Sequence, residues 1–129
     1  MPECDIIKSL HQQLLNSQSY SFPQRGAKIN VSNQHGVYII YSHEDIVLHV
    51  GTTKRAKNGL NQRLNNQKLG VSSFYRNYFR GKKLDLSVGY KFKFIIVENA
   101  RQRTLLEALT TGFLCLDYIG IGESRINNG

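Results

Sequence analysis

The chain has no tryptophan, one methionine, two prolines and two cysteines among its 129 residues. Cys4 and Cys115 are too few to build a disulfide scaffold or, alone, a zinc site, so a reducing cytoplasm is the default compartment. Long hydrophobic runs are also missing. The longest apolar stretches, Val37–Tyr41 and Ile46–Val50, are strand-length, far short of the roughly 18–20 residues of a membrane span. The opening Met-Pro-Glu-Cys-Asp has no basic stretch followed by an apolar one, which argues against a secretory leader. No repeat, low-complexity tract or Pro/Gly-rich linker divides the sequence. The expectation is one domain over 1–129, in which an N-terminal helix and loop (1–32) precede a core (33–129).

Acidic residues are scarce as well, 9 against 17 Lys and Arg, for a formal net charge of +8. The excess is segmental: Lys54 to Arg103 carries 13 of the 17 basic residues and only two acids, Asp85 and Glu98. An imbalance of that size suits a polyanion, above all nucleic acid, where neutralised phosphates release condensed counterions. A basic face kept for solubility is the alternative.

Hydrophobic spacing sets out the elements. Ile6, Ile7, Leu10 and Leu14 recur at helical period over about 4–17. Gly36–Tyr41 and Ile46–Val50 flank a polar loop and read as a β-hairpin. A helix begins at Leu60–Leu64, and Ser72-Ser73-Phe74 reads as the cap of a short helix running to Phe79. Tyr90–Val97 fits a third strand, and Arg101–Asp117 is the clearest helix. The fold class expected is α/β (α+β), a small three-stranded antiparallel sheet flanked by helices.

Four side chains could carry chemistry. Glu107 is the only charge between Arg103 and Asp117 and sits at the margin of that helix's apolar arc. A carboxylate so placed needs a cation, either a hard divalent metal or a neighbouring Arg or Lys. Tyr38 follows Gly36-Val37 in the first strand, as a packed aromatic or as a phenol whose proton nearby cations loosen. His49, in the second strand, is an acid/base or a hydrogen-bonded edge residue. Arg63 leaves its helix beside the apolar stripe, where its fork of donors suits a phosphate oxygen.

Order and spacing say more than any one of these. Gly36-Val37-Tyr38, then His49-Val50-Gly51, Gly59-Leu60-x-x-Arg63-Leu64, Ser72-Ser73-Phe74 and Glu107 on the long helix resemble the GIY-YIG nuclease superfamily over residues 33 to 128. His49 stands where the family usually has its second tyrosine, and Gln67 where many relatives carry a histidine. The literal Tyr118-Ile119-Gly120 follows the long helix and is a decoy. The resemblance implies phosphodiester cleavage with one divalent ion, Mg²⁺ or Mn²⁺, held by Glu107. Tyr38 would help deprotonate the attacking water, directly or through an ordered water. Arg63 would stabilise the scissile phosphate, Asn127 would help fix the site, and His49 could replace the second phenol as acid/base.

DNA is the expected substrate, gripped by Lys54, Arg55, Lys57, Arg76 and Arg80, with the interleaved Phe74, Tyr75, Tyr78 and Phe79 able to stack on bases. A role in repair or restriction would follow, with targeting from loops, a homodimer or a separate subunit. The alternatives are a catalytically weak or silent nucleic-acid-binding module of the same fold, and an interaction protein whose charge serves solubility.

Overall fold

The computed structural model describes residues 2–53, 57–69 and 85–115. In chain order its elements are α1 (Glu3–Leu15), β1 (Tyr20–Ser21), β2 (Gly36–Tyr41), β3 (Val47–Thr52), α2 (Gly59–Leu69), β4 (Lys91–Ile96) and α3 (Ala100–Leu114). The strands form one antiparallel sheet in the order β1-β4-β2-β3. The mixed α+β class agrees with the sequence reading; the strand number does not. The described sheet has four strands, because Tyr20 and Ser21, inside a stretch that reads as polar loop, pair with Phe92 and Lys91. Tyr20 is held there by stacking on Phe92 and Phe94, with ring centroids 5.5 and 5.6 Å apart.

Two cores follow from the pleat of β2, every residue of which is buried. Val37, Ile39 and Tyr41 face α1 and α3 and pack with Val50, Ile7, Leu14 and Leu106. Tyr38 and Ile40 face the other way, onto Leu60 and Leu64 of α2 and onto Phe22, Ile29 and Phe92. Gly36 begins β2 for a steric reason: a Cβ there would lie 2.1 Å from the Ile95 carbonyl oxygen, so the neighbouring strand requires a residue without one.

The first 32 residues are knit into this body. α1 starts after Pro2 with Glu3 and Asp5 in its first turn, where acids favour the helix dipole. It lies along α3, tied by Arg101 to Glu3 (2.7 Å) at one end and by His11 Nδ1 to Thr110 Oγ1 (2.9 Å) further on. α3 is capped by the Asn99 side chain, which accepts from the Gln102 N–H, and it closes on Cys115 in the left-handed conformation. The expected helix reaches Asp117; residues beyond Cys115 lie outside the described ones, as does the short helix expected over 72–79. Among the described residues no helix is long and apolar enough to cross a membrane.

Candidate active site

The centre of the site is the Tyr38 phenol, fully buried on the α2 face of the sheet. Gly51 on β3 is paired directly with Tyr38, and the ring lies over it. A Cβ at Gly51 would meet Tyr38 Oη at 2.4 Å, Cζ at 2.5 Å and His49 Nε2 at 3.0 Å. The missing side chain is therefore the space that phenol and imidazole share. The two rings meet edge to face, with centroids 5.9 Å apart.

α2 supplies the other wall. Arg63 and Gln67 are one helical turn apart and so project from the same face. Gln67, fully buried, donates from Nε2 to Tyr38 Oη at 2.7 Å. The positive charge of Arg63 acts on both Tyr38 and His49. The Arg63 Nε is buried with no hydrogen-bond partner among the described residues. An unsatisfied guanidinium nitrogen is costly in a finished interior and natural in a site waiting for an anion.

Glu107 is rooted on α3, on the opposite face of the sheet from Tyr38. Its charge nevertheless reaches the phenol, whose pKa it helps to raise. Tyr38, His49 and Arg63 thus share one buried neighbourhood, whereas Glu107 comes from the other face of the sheet and acts on the phenol only as the last of the influences on it. Asn127, the fifth expected member, lies outside the described residues.

The protonation states refine the expected roles. Burial pushes the Tyr38 hydroxyl above its ordinary value; the Arg63 charge and the bond from Gln67 pull it back only in part. Desolvation outweighs the cation, so the expectation of a loosened phenol proton is corrected: Tyr38 is a neutral hydroxyl at rest. Both ring nitrogens of His49 are shut off from solvent, although the residue as a whole is half-buried. Burial first, and the Arg63 charge second, bring its pKa down to about 3. His49 is therefore a neutral imidazole at physiological pH, with one ring N–H and one lone pair for hydrogen bonding and little tendency to take up a second proton.

That depression makes the fold sensitive to acid. Between the ordinary imidazole value of 6.5 and about 3, an unfolded His49 binds a proton that the folded one refuses, so stability falls as pH falls through this window. His11, whose pKa burial also lowers, adds the same sign. The urea midpoint is expected to be lower at pH 5 than at pH 7, above the range in which carboxylates titrate. His49→Gln should flatten the decline. A midpoint that does not move between the two pH values would show that neither imidazole is held neutral.

Some cations of the basic segment, none of them among the five expected to grip phosphates, make contacts within the fold. Lys68 donates to the carbonyls of Gln24 and Ala27. Lys91 pairs with Asp45 at 2.7 Å, and Lys93 reaches the Leu15 carbonyl and lies over the Tyr41 ring. Arg103 bonds to the carbonyls of Val97 and Glu98. These cations hold the fold together. Lys57 is exposed just before α2, while Lys54, Arg55, Arg76 and Arg80 lie outside the described residues.

Gln67 is the member that sequence reasoning underrates. It registers only as a departure from a motif, yet it is a direct partner of the central phenol; its four-residue spacing from Arg63 is the available signal. Among the described residues no three His, Cys, Asp or Glu side chains converge. Glu107 with water and substrate oxygens is a donor set that fits Mg²⁺, which keeps several waters and needs few protein ligands. No family model matches the chain, and no curated protein matches it.

Proposed function

We propose that this chain is a divalent-metal-dependent endonuclease that hydrolyses phosphodiester bonds in DNA through a one-metal site of the GIY-YIG kind. The observation that carries the reading is the Arg63 guanidinium, whose charge acts on a buried phenol and whose buried Nε has no hydrogen-bond partner among the described residues. Such a fork fits a phosphate oxygen, and it stabilises the charge that grows there as the bond to the leaving alkoxide breaks. Tyr38, protonated at rest, orients the attacking water and relays its proton, taking it up as the phenol's own proton passes to the leaving alkoxide, with the neutral His49 imidazole beside it. Glu107 would hold Mg²⁺ or Mn²⁺, which supplies positive charge on the scissile phosphate and lowers the pKa of bound water. The cytoplasm, where the exposed thiols of Cys4 and Cys115 stay reduced, is the compartment this reading assumes.

A second reading, a silent nucleic-acid-binding module of the same fold, is favoured by the enclosure of Tyr38 and by His49 at the second phenol's position.

Plasmid nicking separates the two. Supercoiled plasmid incubated with the protein and Mg²⁺ or Mn²⁺ is expected to relax to nicked circles, and EDTA to stop this. Tyr38→Phe should slow nicking roughly 10²-fold, the scale of a lost proton-transfer group. An unchanged rate in that variant would remove the phenol from the chemistry. Retention of plasmid without nicking in either metal would leave the binding module; no retention at all would leave neither.

A further inference from the structure

A second concave feature lies on the other side of α2. It is a cleft of about 740 Å³ between the helix and the segment Gly26–Asn33, and its lining is dominated by carboxamides. One set of these builds the wall. Asn61 Oδ1 accepts from the Val31 and Ser32 N–H groups, and its Nδ2 donates to the Asn30 and Asn33 side chains. Asn65 bonds both ways with the Ile29 backbone, and Lys68 holds the carbonyls of Gln24 and Ala27. The cleft is therefore preformed and stiff. A second set faces it and, among the described residues, is not consumed: Asn66 and Lys28 take no part in these bonds, and Asn30, Asn33 and Gln62 engage through their oxygens. Exposed Lys57 stands beside Asn58 at the rim.

From this lining we infer that the cleft binds an unpaired nucleotide of a nucleic-acid strand, its base edge read by amides and its phosphates met by Lys28 and Lys57. Carboxamides offer a donor and an acceptor side by side, the pattern that pairs with a nucleobase edge and adenine above all. Shape excludes the duplex. Paired base edges are recessed in grooves and are reached by protruding helices or ribbons, whereas a concave wall receives a base that has left its stack. No aromatic ring among the described residues lines the cleft, and its amides supply hydrogen bonds that carry a base preference. Gln62 and Asn66 immediately precede Arg63 and Gln67, so a strand seated here lies against the helix that also carries the hydrogen-bond partner of the Tyr38 phenol. The inference rests on the nuclease reading only in making that strand the substrate.

The test is fluorescence anisotropy in EDTA, with a labelled 12-nucleotide single strand of mixed sequence and the same sequence as a duplex. The single strand is expected to bind wild type, and the double variant Asn58→Ala/Asn66→Ala to raise its Kd by roughly fivefold or more at unchanged salt slope. The duplex Kd should not move. Lys28→Ala should lower the slope of log K against log salt for the single strand by about 0.7, the value of one phosphate contact. Unchanged thermal midpoints would show that the variants fold. A single-strand Kd unmoved by the amide pair, or duplex and single strand weakening together, overturns the inference. If plasmid is never nicked while the amide pair weakens the single strand, the nuclease reading falls and this one stands; nicking with an unmoved Kd sinks this one alone.

Discussion

Glu107→Ala should lower the nicking rate by roughly 10³-fold, about 4 kcal/mol in the barrier, while nucleic-acid binding stays within twofold. The argument starts from position. Glu107 is half-buried on α3, flanked on the same helix by the fully buried Leu106 and Thr110, so the helix itself is anchored without it. Alanine is a good helix former, and Glu107→Gln keeps the shape while removing the charge. Either substitution removes the carboxylate that acts on the Tyr38 phenol, the anionic group a divalent cation would require here. A second readout follows from the sign of that interaction. Glu107 helps to push the Tyr38 hydroxyl up, so its removal should let the phenol titrate at lower pH, observable by NMR of a ring-labelled chain. If Glu107 served only to balance a cation in the fold, both variants would unfold more easily and nick at the wild-type rate. Nicking lost in both, with unfolding midpoints preserved, places the carboxylate in the chemistry.

Much of the architecture is written in local pattern. β2 occupies Gly36–Tyr41, the limits that the β-rich run itself suggests, and the wide apolar arc after Arg101 does become α3. β1 is illegible because two residues carry no periodicity; what makes Tyr20 a strand residue is the pair of phenylalanines seventy positions later. The second strand reads as ending at Val50 because Gly51 breaks the apolar run. Pairing with Tyr38 and Val37 overrides that, and Thr53 closes the ladder by accepting from the Gly36 N–H. The site divides in the same way. Spacing singles out Tyr38 and Arg63, but the neutral state of His49 and the role of Gln67 depend on depth of burial, which composition does not encode. Charge counting registers Lys68, Lys91 and Arg103 only as cations; that carbonyls and Asp45 hold them is visible only in the fold.

Gly51→Ala adds one methyl group and is expected to cost about 2–3 kcal/mol of stability, with nicking lost to background. Gly51 is not in the left-handed region, so its backbone conformation does not demand glycine. Elsewhere in a strand, alanine in place of glycine is favourable, because it reduces the entropy of the unfolded chain. The penalty here is purely one of space. The new Cβ would sit 2.4 Å from Tyr38 Oη and 2.5 Å from Cζ, and the phenol, wholly buried and bonded to Gln67, has no free rotation with which to yield. Either β3 draws away from β2 or the ring abandons its partners, and both outcomes dismantle the constellation around Arg63. The compensating change separates the stability loss from the loss of function. Gly51→Ala/Tyr38→Val restores room for the methyl group, so the double variant should be more stable than the sum of its single losses, a coupling of the kind contacting residues show. It should still fail to nick, since the hydroxyl is gone. Gly51→Ala that folds as well as wild type and nicks as fast would mean the phenol does not lie over β3, and the site built around it would have no centre.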